Sequence, residues 1–226
     1  MNTSTIEAVI FDMDGVLVES EPLQYEAYRR VFAEHGAEVK RNEFIRLWVG
    51  RGSVLNEHIE RHGLKASLEE IQLAKKKVYD ELVQERLNLR PGLMGLLRRM
   101  HRQLLTALAS SAHPDSVSVV LKKFKLAEYF DAILTGGDVE HNKPHPEIYL
   151  KTAEKLSLKP RQCLVMEDSE SGVTAAKDAG MRVIALPHEY TRGQDFTRAD
   201  LVISDLRNLR LRLGQRREGR THDNDG

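Results

Sequence analysis

The sequence predicts an α/β protein: a doubly wound parallel sheet with a helical domain inserted after the first strand. Three observations predict it. Six short apolar runs lack polar alternation, as suits strands buried on both faces. Amphipathic helical stripes separate the later runs. The stretch from Ser20 to Leu89 has helical periodicity and no strand run.

The first run, Ala8 to Phe11, stops at Asp12. Leu104 to Ala109 stops at Ser110-Ser111, and Ala132 to Leu134 stops at Thr135-Gly136-Gly137. Cys163 to Met166 stops at Glu167-Asp168, Val183 to Leu186 stops at Pro187, and Leu201 to Ile203 comes last. Between them, Val117, Val120, Leu121 and Phe124 form one helical stripe behind Pro114, a residue tolerated in a first turn. Pro146 to Leu156 and Ser171 to Ala179 are two further helices, the second ended by Gly180. Arg90-Pro91-Gly92 marks the return from the inserted helices. The expected division is a core of residues 1–19 and 90–213, a helical domain of residues 20–89, and a flexible polar tail, 214–226.

Composition narrows the function. Lys plus Arg total 34 and Asp plus Glu total 34, so no basic surplus marks a nucleic-acid binder. The lone Cys163 excludes a disulfide framework and a cysteine-rich zinc site. No apolar run reaches the ~18–20 residues of a membrane span, and no signal-type core opens the chain. A cytoplasmic enzyme acting as a monomer, without nucleic-acid or membrane partners, is the expectation.

The strand ends carry the chemistry. Asp12 and Asp14 lie two apart in Phe11-Asp12-Met13-Asp14-Gly15-Val16, so both can face one site at a strand's C-terminal end. Two adjacent carboxylates repel unless a proton or cation lies between them. Ser110 and Ser111 precede a helix N-terminus, a ready anion site. Lys143 sits between Asn142 and Pro144, ahead of another helix. Glu167 and Asp168 end a third strand. The carboxylates suit Mg²⁺, and the lysine and helix N-termini suit a phosphate. Together they imply phosphoryl transfer.

In their order and spacing, these residues resemble the four motifs of the haloacid dehalogenase superfamily, over the chain up to about Leu209. The helical insert resembles the cap of the subgroup that holds phosphoglycolate phosphatase, sugar-phosphate phosphatases and β-phosphoglucomutase. Glu21-Pro22-Leu23, Lys143 to Tyr149 and Glu167 to Val173 look like that subgroup. The resemblance implies a Rossmann-like core and an aspartyl-phosphate mechanism. Asp12 would be the nucleophile and Asp14 the acid and base. Mg²⁺ would be held by Asp12, the Asp14 carbonyl and Asp168, with Glu167 nearby. Ser110, Ser111 and Lys143 would bind the phosphoryl group, and the cap would close over a small phosphorylated metabolite.

The resemblance leaves the acceptor open: water makes a phosphatase, a sugar hydroxyl a mutase. β-Phosphoglucomutases usually carry a histidine where this chain has Gln24. Their distal-phosphate loop corresponds here to the shorter Val49 to Ser53, with Arg51 as the candidate grip. Lys77 matches a cap lysine found in both enzyme types. A Mg²⁺-dependent phosphatase is therefore the reading, with a β-phosphoglucomutase-like enzyme as the alternative. A phosphate-sensing module is remote. Receiver domains are about half this length, and their phosphorylated aspartate is not on the first strand.

Overall fold

A computed structural model describes residues 6–49 and 55–209. Six parallel strands form one sheet: β1 (Ala8–Phe11), β2 (Leu105–Ala109), β3 (Ala132–Leu134), β4 (Cys163–Glu167), β5 (Arg182–Ala185) and β6 (Leu201–Val202). Their order is β3-β2-β1-β4-β5-β6, so the doubly wound expectation holds. The winding reverses between β1 and β4, where open α/β sheets place their ligands. Register puts Phe11 beside Leu108 on one side and Met166 on the other. Asp12 and Glu167 thus leave neighbouring strands at one level.

The non-alternating runs explain themselves in the packing. Val9, Phe11, Leu164, Met166 and Ile184 point into one apolar cluster. Ala8, Ile10, Cys163, Val165 and Val183 point into the cluster on the opposite face. Each full burial of such a side chain contributes roughly 1.5–3 kcal/mol. The first face is covered by α5 (Leu93–Gln103) and α6 (Pro114–Phe124), the second by α7 (Glu147–Lys155) and α8 (Glu170–Asp178). The last strand departs from its apolar sequence. Leu201 and Val202 are 46% and 51% exposed, because β6 is an edge strand whose one sheet neighbour is β5.

Between β1 and β2 lie α1 (Glu21–Glu34), α2 (Arg41–Phe44), α3 (Leu55–Arg61) and α4 (Leu68–Arg86). A π-helical turn, Ile45–Val49, follows α2. α4 opens on a capping box, with Ser67 and Glu70 each accepting the other's backbone N–H. Val31, Phe32, Val39, Phe44, Leu55 and Ile71 form an apolar cluster that also takes in Tyr190 from the loop after β5. The expected tail, 214–226, lies outside the described residues.

Candidate active site

The C-terminal ends of β1 and β4 bring the core motifs together. The Asp12 N–H bonds the Met166 carbonyl at 3.0 Å, continuing the ladder into the site. Lys143 Nζ reaches across to Asp12 Oδ1 at 2.6 Å, Glu167 Oε1 at 2.7 Å and the Ala109 carbonyl at 3.1 Å. One ammonium therefore ties the ends of β1, β2 and β4. Its side chain is 6% exposed, so solvent screens little of the attraction.

Glu167 is fully buried and saturated. Oε1 accepts from Lys143 and from the Tyr149 hydroxyl, at 2.7 and 2.6 Å. Oε2 accepts from Asp168 N, Ser169 N and Ser169 Oγ. Burial acts to raise its pKa, but Lys143 and these hydrogen bonds overcome it and hold the carboxyl below its usual range. Gly172 makes room for it: a Cβ there would lie 1.9 Å from the carboxyl carbon. Sequence reasoning grouped Glu167 with the metal-binding residues. In the structure five donors reach its two oxygens and it anchors Lys143.

Asp12 and Asp168 retain oxygens with no described hydrogen bond. Burial pushes both carboxyls well above the usual range, with the neighbouring carboxylates adding to the shift. Asp14 is also raised by burial, against the opposing bond from Ser20 Oγ to its Oδ1 at 2.5 Å. Gly15 makes the turn at φ +74°, and a Cβ there would lie 2.2 Å from Asp168 Oδ2. Arg90 Nη1 fixes the Gly15 carbonyl at 2.6 Å.

Ser110 is buried one residue past β2, its Oγ accepting from Ala112 N at 3.1 Å. Ser111 is exposed beside it, ahead of α6. Lys77 does not join the site. It is exposed on α4, whereas Lys75 Nζ bonds the Gln24 Oε1 of α1 and feels Asp14. The reason is helical: residues two apart point about 200° away from each other. Burial lowers the Lys75 pKa to about 8, against the pull of Asp14 and Asp80. Arg51 lies outside the described residues.

Sequence reasoning missed His188. Its Nδ1 accepts from Tyr190 N at 3.2 Å, so Nε2 carries the proton and donates it to Asp168 Oδ2 at 2.8 Å. Burial lowers its pKa, consistent with a neutral ring. Extending the strand-end argument to β5 would have found it, just past Pro187. Tyr149, the buried partner of Glu167, was quoted within a motif but given no role.

Residues 9–186 match the family model described as haloacid dehalogenase-like hydrolase. This chain belongs to that family. The resemblance drawn from the four motifs is thereby borne out, as is the enzyme class it implied. The phosphorylated carbohydrates phosphatase of Thermotoga maritima is 37% identical over 204 residues, covering 87% of this chain and 93% of that one. Hexitol phosphatase B of Escherichia coli K12 is 34% identical over 222 residues, covering 90% and 94%. A structure of CbbY from Rhodobacter sphaeroides, in complex with xylulose-(1,5)bisphosphate, matches with a TM-score of 0.77 at 30% identity. That match covers 91% of this chain and 96% of that one. Among the described residues, no helix is long and apolar enough to cross a membrane.

Proposed function

We propose that this haloacid dehalogenase-like hydrolase is a Mg²⁺-dependent phosphatase for small phosphorylated carbohydrates, acting through a phosphoryl group carried on Asp12. The observation that carries the reading is the Lys143 ammonium held between Asp12 and Glu167 at the sheet's switch point. The substrate class rests on the relatives, whose names specify phosphorylated carbohydrates and hexitols.

The donor set suits a hard divalent cation. Asp12 and Asp168 offer carboxylate oxygens, and a Glu167 oxygen lies within 4.8 Å of them. Three carboxyl groups crowd around Lys143 in a buried site, and a divalent cation would relieve the repulsion among their ionised forms. Asp12, Asp168 and the Asp14 carbonyl would hold the cation. When bound, Mg²⁺ supplies positive charge that offsets the repulsion between the Asp12 carboxylate and the phosphate.

The chain's own groups account for the rest. An Asp12 oxygen attacks phosphorus, the bond to the ester oxygen breaks, and Asp14 delivers its proton to the departing alkoxide. Water then attacks the same phosphorus. Asp14 takes a proton from it, the bond to Asp12 breaks, and inorganic phosphate leaves. The Ser20 hydroxyl aims Asp14, while Lys143, Ser110 and the Ser111 N–H bind phosphoryl oxygens. The helical segment 20–89 acts as a cap, presenting Gln24 and Lys75 to the substrate and excluding bulk water.

The test is phosphate release with Mg²⁺ across sugar, polyol, hydroxy-acid and nucleoside monophosphates. β-Glucose 1-phosphate is run beside them, with and without glucose 1,6-bisphosphate. Strong release from sugar or polyol monophosphates is the expected result. Little release, with primed formation of glucose 6-phosphate, would make the enzyme a mutase. Neither activity would overturn the catalytic reading.

A further inference from the structure

A second cluster of ligating side chains lies away from the strand ends, in the helical segment. His58 is on α3, and His62 follows one turn later, its N–H still bonding the His58 carbonyl at 3.0 Å. Residues four apart share a helix face, and the two rings lie 6.1 Å apart at 18°. Glu43 of α2 faces both. Its Oε1 is 3.7 Å from His58 Nδ1 and 3.7 Å from His62 Nε2.

Those separations are too long for hydrogen bonds. His62 Nε2 is buried and makes no hydrogen bond in the structure. A buried polar atom left in this state calls for a water or an ion. The ligand spacing fits an ion. Metal–ligand bonds of about 2.0–2.1 Å at a tetrahedral zinc put neighbouring ligand atoms about 3.4 Å apart, so small shifts would complete the shell.

We propose that Glu43, His58 and His62 form a binding site for a borderline divalent transition metal, Zn²⁺ by preference, distinct from the carboxylate site. Two imidazoles and one carboxylate suit that class and disfavour Mg²⁺, which requires oxygen ligands. The fourth position would remain open to water or an anion. His58 is 1% exposed, and burial lowers its pKa, which keeps the imidazole in its ligating form. Glu43 is 18% exposed, so the cluster borders solvent on its side. Arg61 Nη1 now holds Glu43 Oε1 at 3.1 Å, but its side chain is 49% exposed and can swing into solvent.

The contrast with His141, His145 and Glu147 shows what the proposal requires. Those atoms also lie within 4.8 Å of one another. Glu147, however, is already engaged by Glu140 N, His141 N and Lys151, and both rings are exposed. That cluster is satisfied as it stands.

The test is calorimetric titration of chelator-stripped protein with Zn²⁺ in saturating Mg²⁺, which occupies the carboxylate site. Co²⁺ serves as a spectroscopic probe of imidazole ligation. Wild type is expected to bind one Zn²⁺. Glu43→Gln and His62→Ala should weaken that binding at least 10-fold, as expected when a ligand is lost. Both should melt near the wild-type temperature without metal and keep Mg²⁺-dependent turnover. Asp168→Asn should retain the zinc site. Absence of zinc binding, equal binding in wild type and His62→Ala, or its loss in Asp168→Asn would overturn the proposal. None of these readouts depends on which phosphate ester the enzyme hydrolyses.

Discussion

The strand-end cluster and the helical face opposite it are built on different principles. At the strand ends, Lys143 joins three strands, and Glu167 has five donors on two oxygens. Nothing there can move alone. On the helical face, Lys75 meets Gln24 through one hydrogen bond and leans over the rings of Tyr28 and Tyr79 at 5.1 and 4.7 Å. Such a face can change a residue without disturbing its neighbours. The difference separates the chemistry from the choice of substrate. On the proposed function, the sheet would fix how phosphorus is attacked, and the helices would decide what is attached to it.

The largest expected effect comes from the strand ends. Asp12→Asn should cut turnover by about 10⁴-fold or more while the protein still folds, since it removes the proposed nucleophile and leaves Glu167 to hold Lys143. Phosphate release and a thermal melt measure both. Near-normal release would break the division at its base.

Glu167→Gln tests the saturation. All five partners of this carboxylate donate, so an amide nitrogen would face a donor. Disrupting the buried pair should cost about 3–5 kcal/mol. For a chain of this size the melting temperature should fall by about 6–20 °C. An unchanged melt would mean that Lys143 does not depend on Glu167.

His188 lies between the two regions. It holds Asp168, while Tyr190, two residues on, sits in the helical cluster with the Arg41 guanidinium 4.6 Å from its ring centroid. His188→Ala should weaken Mg²⁺ binding about 10–100-fold by calorimetry, as loss of a ligand-orienting group does elsewhere. His188→Gln, which keeps a donor, should restore part of that. Equal affinity in all three proteins would remove His188 from the site.

The smallest effect belongs to the helical face. Lys75→Met should raise KM about tenfold and leave kcat near wild type, the signature of lost uniform binding. Lys75 is charged below about pH 8 and neutral above it, with Asp14 and Asp80 the carboxylates facing it. An anionic substrate should therefore bind less well as pH rises through 8. The rise in KM should flatten in Lys75→Met, and a kcat loss without a KM change would move Lys75 into the chemistry.

The same division explains what could be read from the sequence. Asp12, Asp14 and Asp168 could be grouped because strand ends in a parallel sheet converge by rule; Lys143, nine residues past β3, was grouped through the motif resemblance. The partner of Glu167, by contrast, is Tyr149 on α7, and spacing along the chain gives no hint that its hydroxyl turns inward. Lys75 and Lys77 differ by two positions on one helix. Only the rotation of α4 against α1 decides which of them faces Gln24. His188 was missed because the strand-end argument was not carried to β5, which ends three residues before it. The exposed β6 shows the converse: an apolar run says strand, but not whether a neighbour covers it.

The most direct test of the central claim is to quench the enzyme in acid during turnover of phosphorus-labelled p-nitrophenyl phosphate and map the label by peptide mass. The expected result is one phosphoryl group on the peptide that contains Asp12, absent from Asp12→Asn. Turnover with no label on the protein, or a label on any other residue, would contradict it.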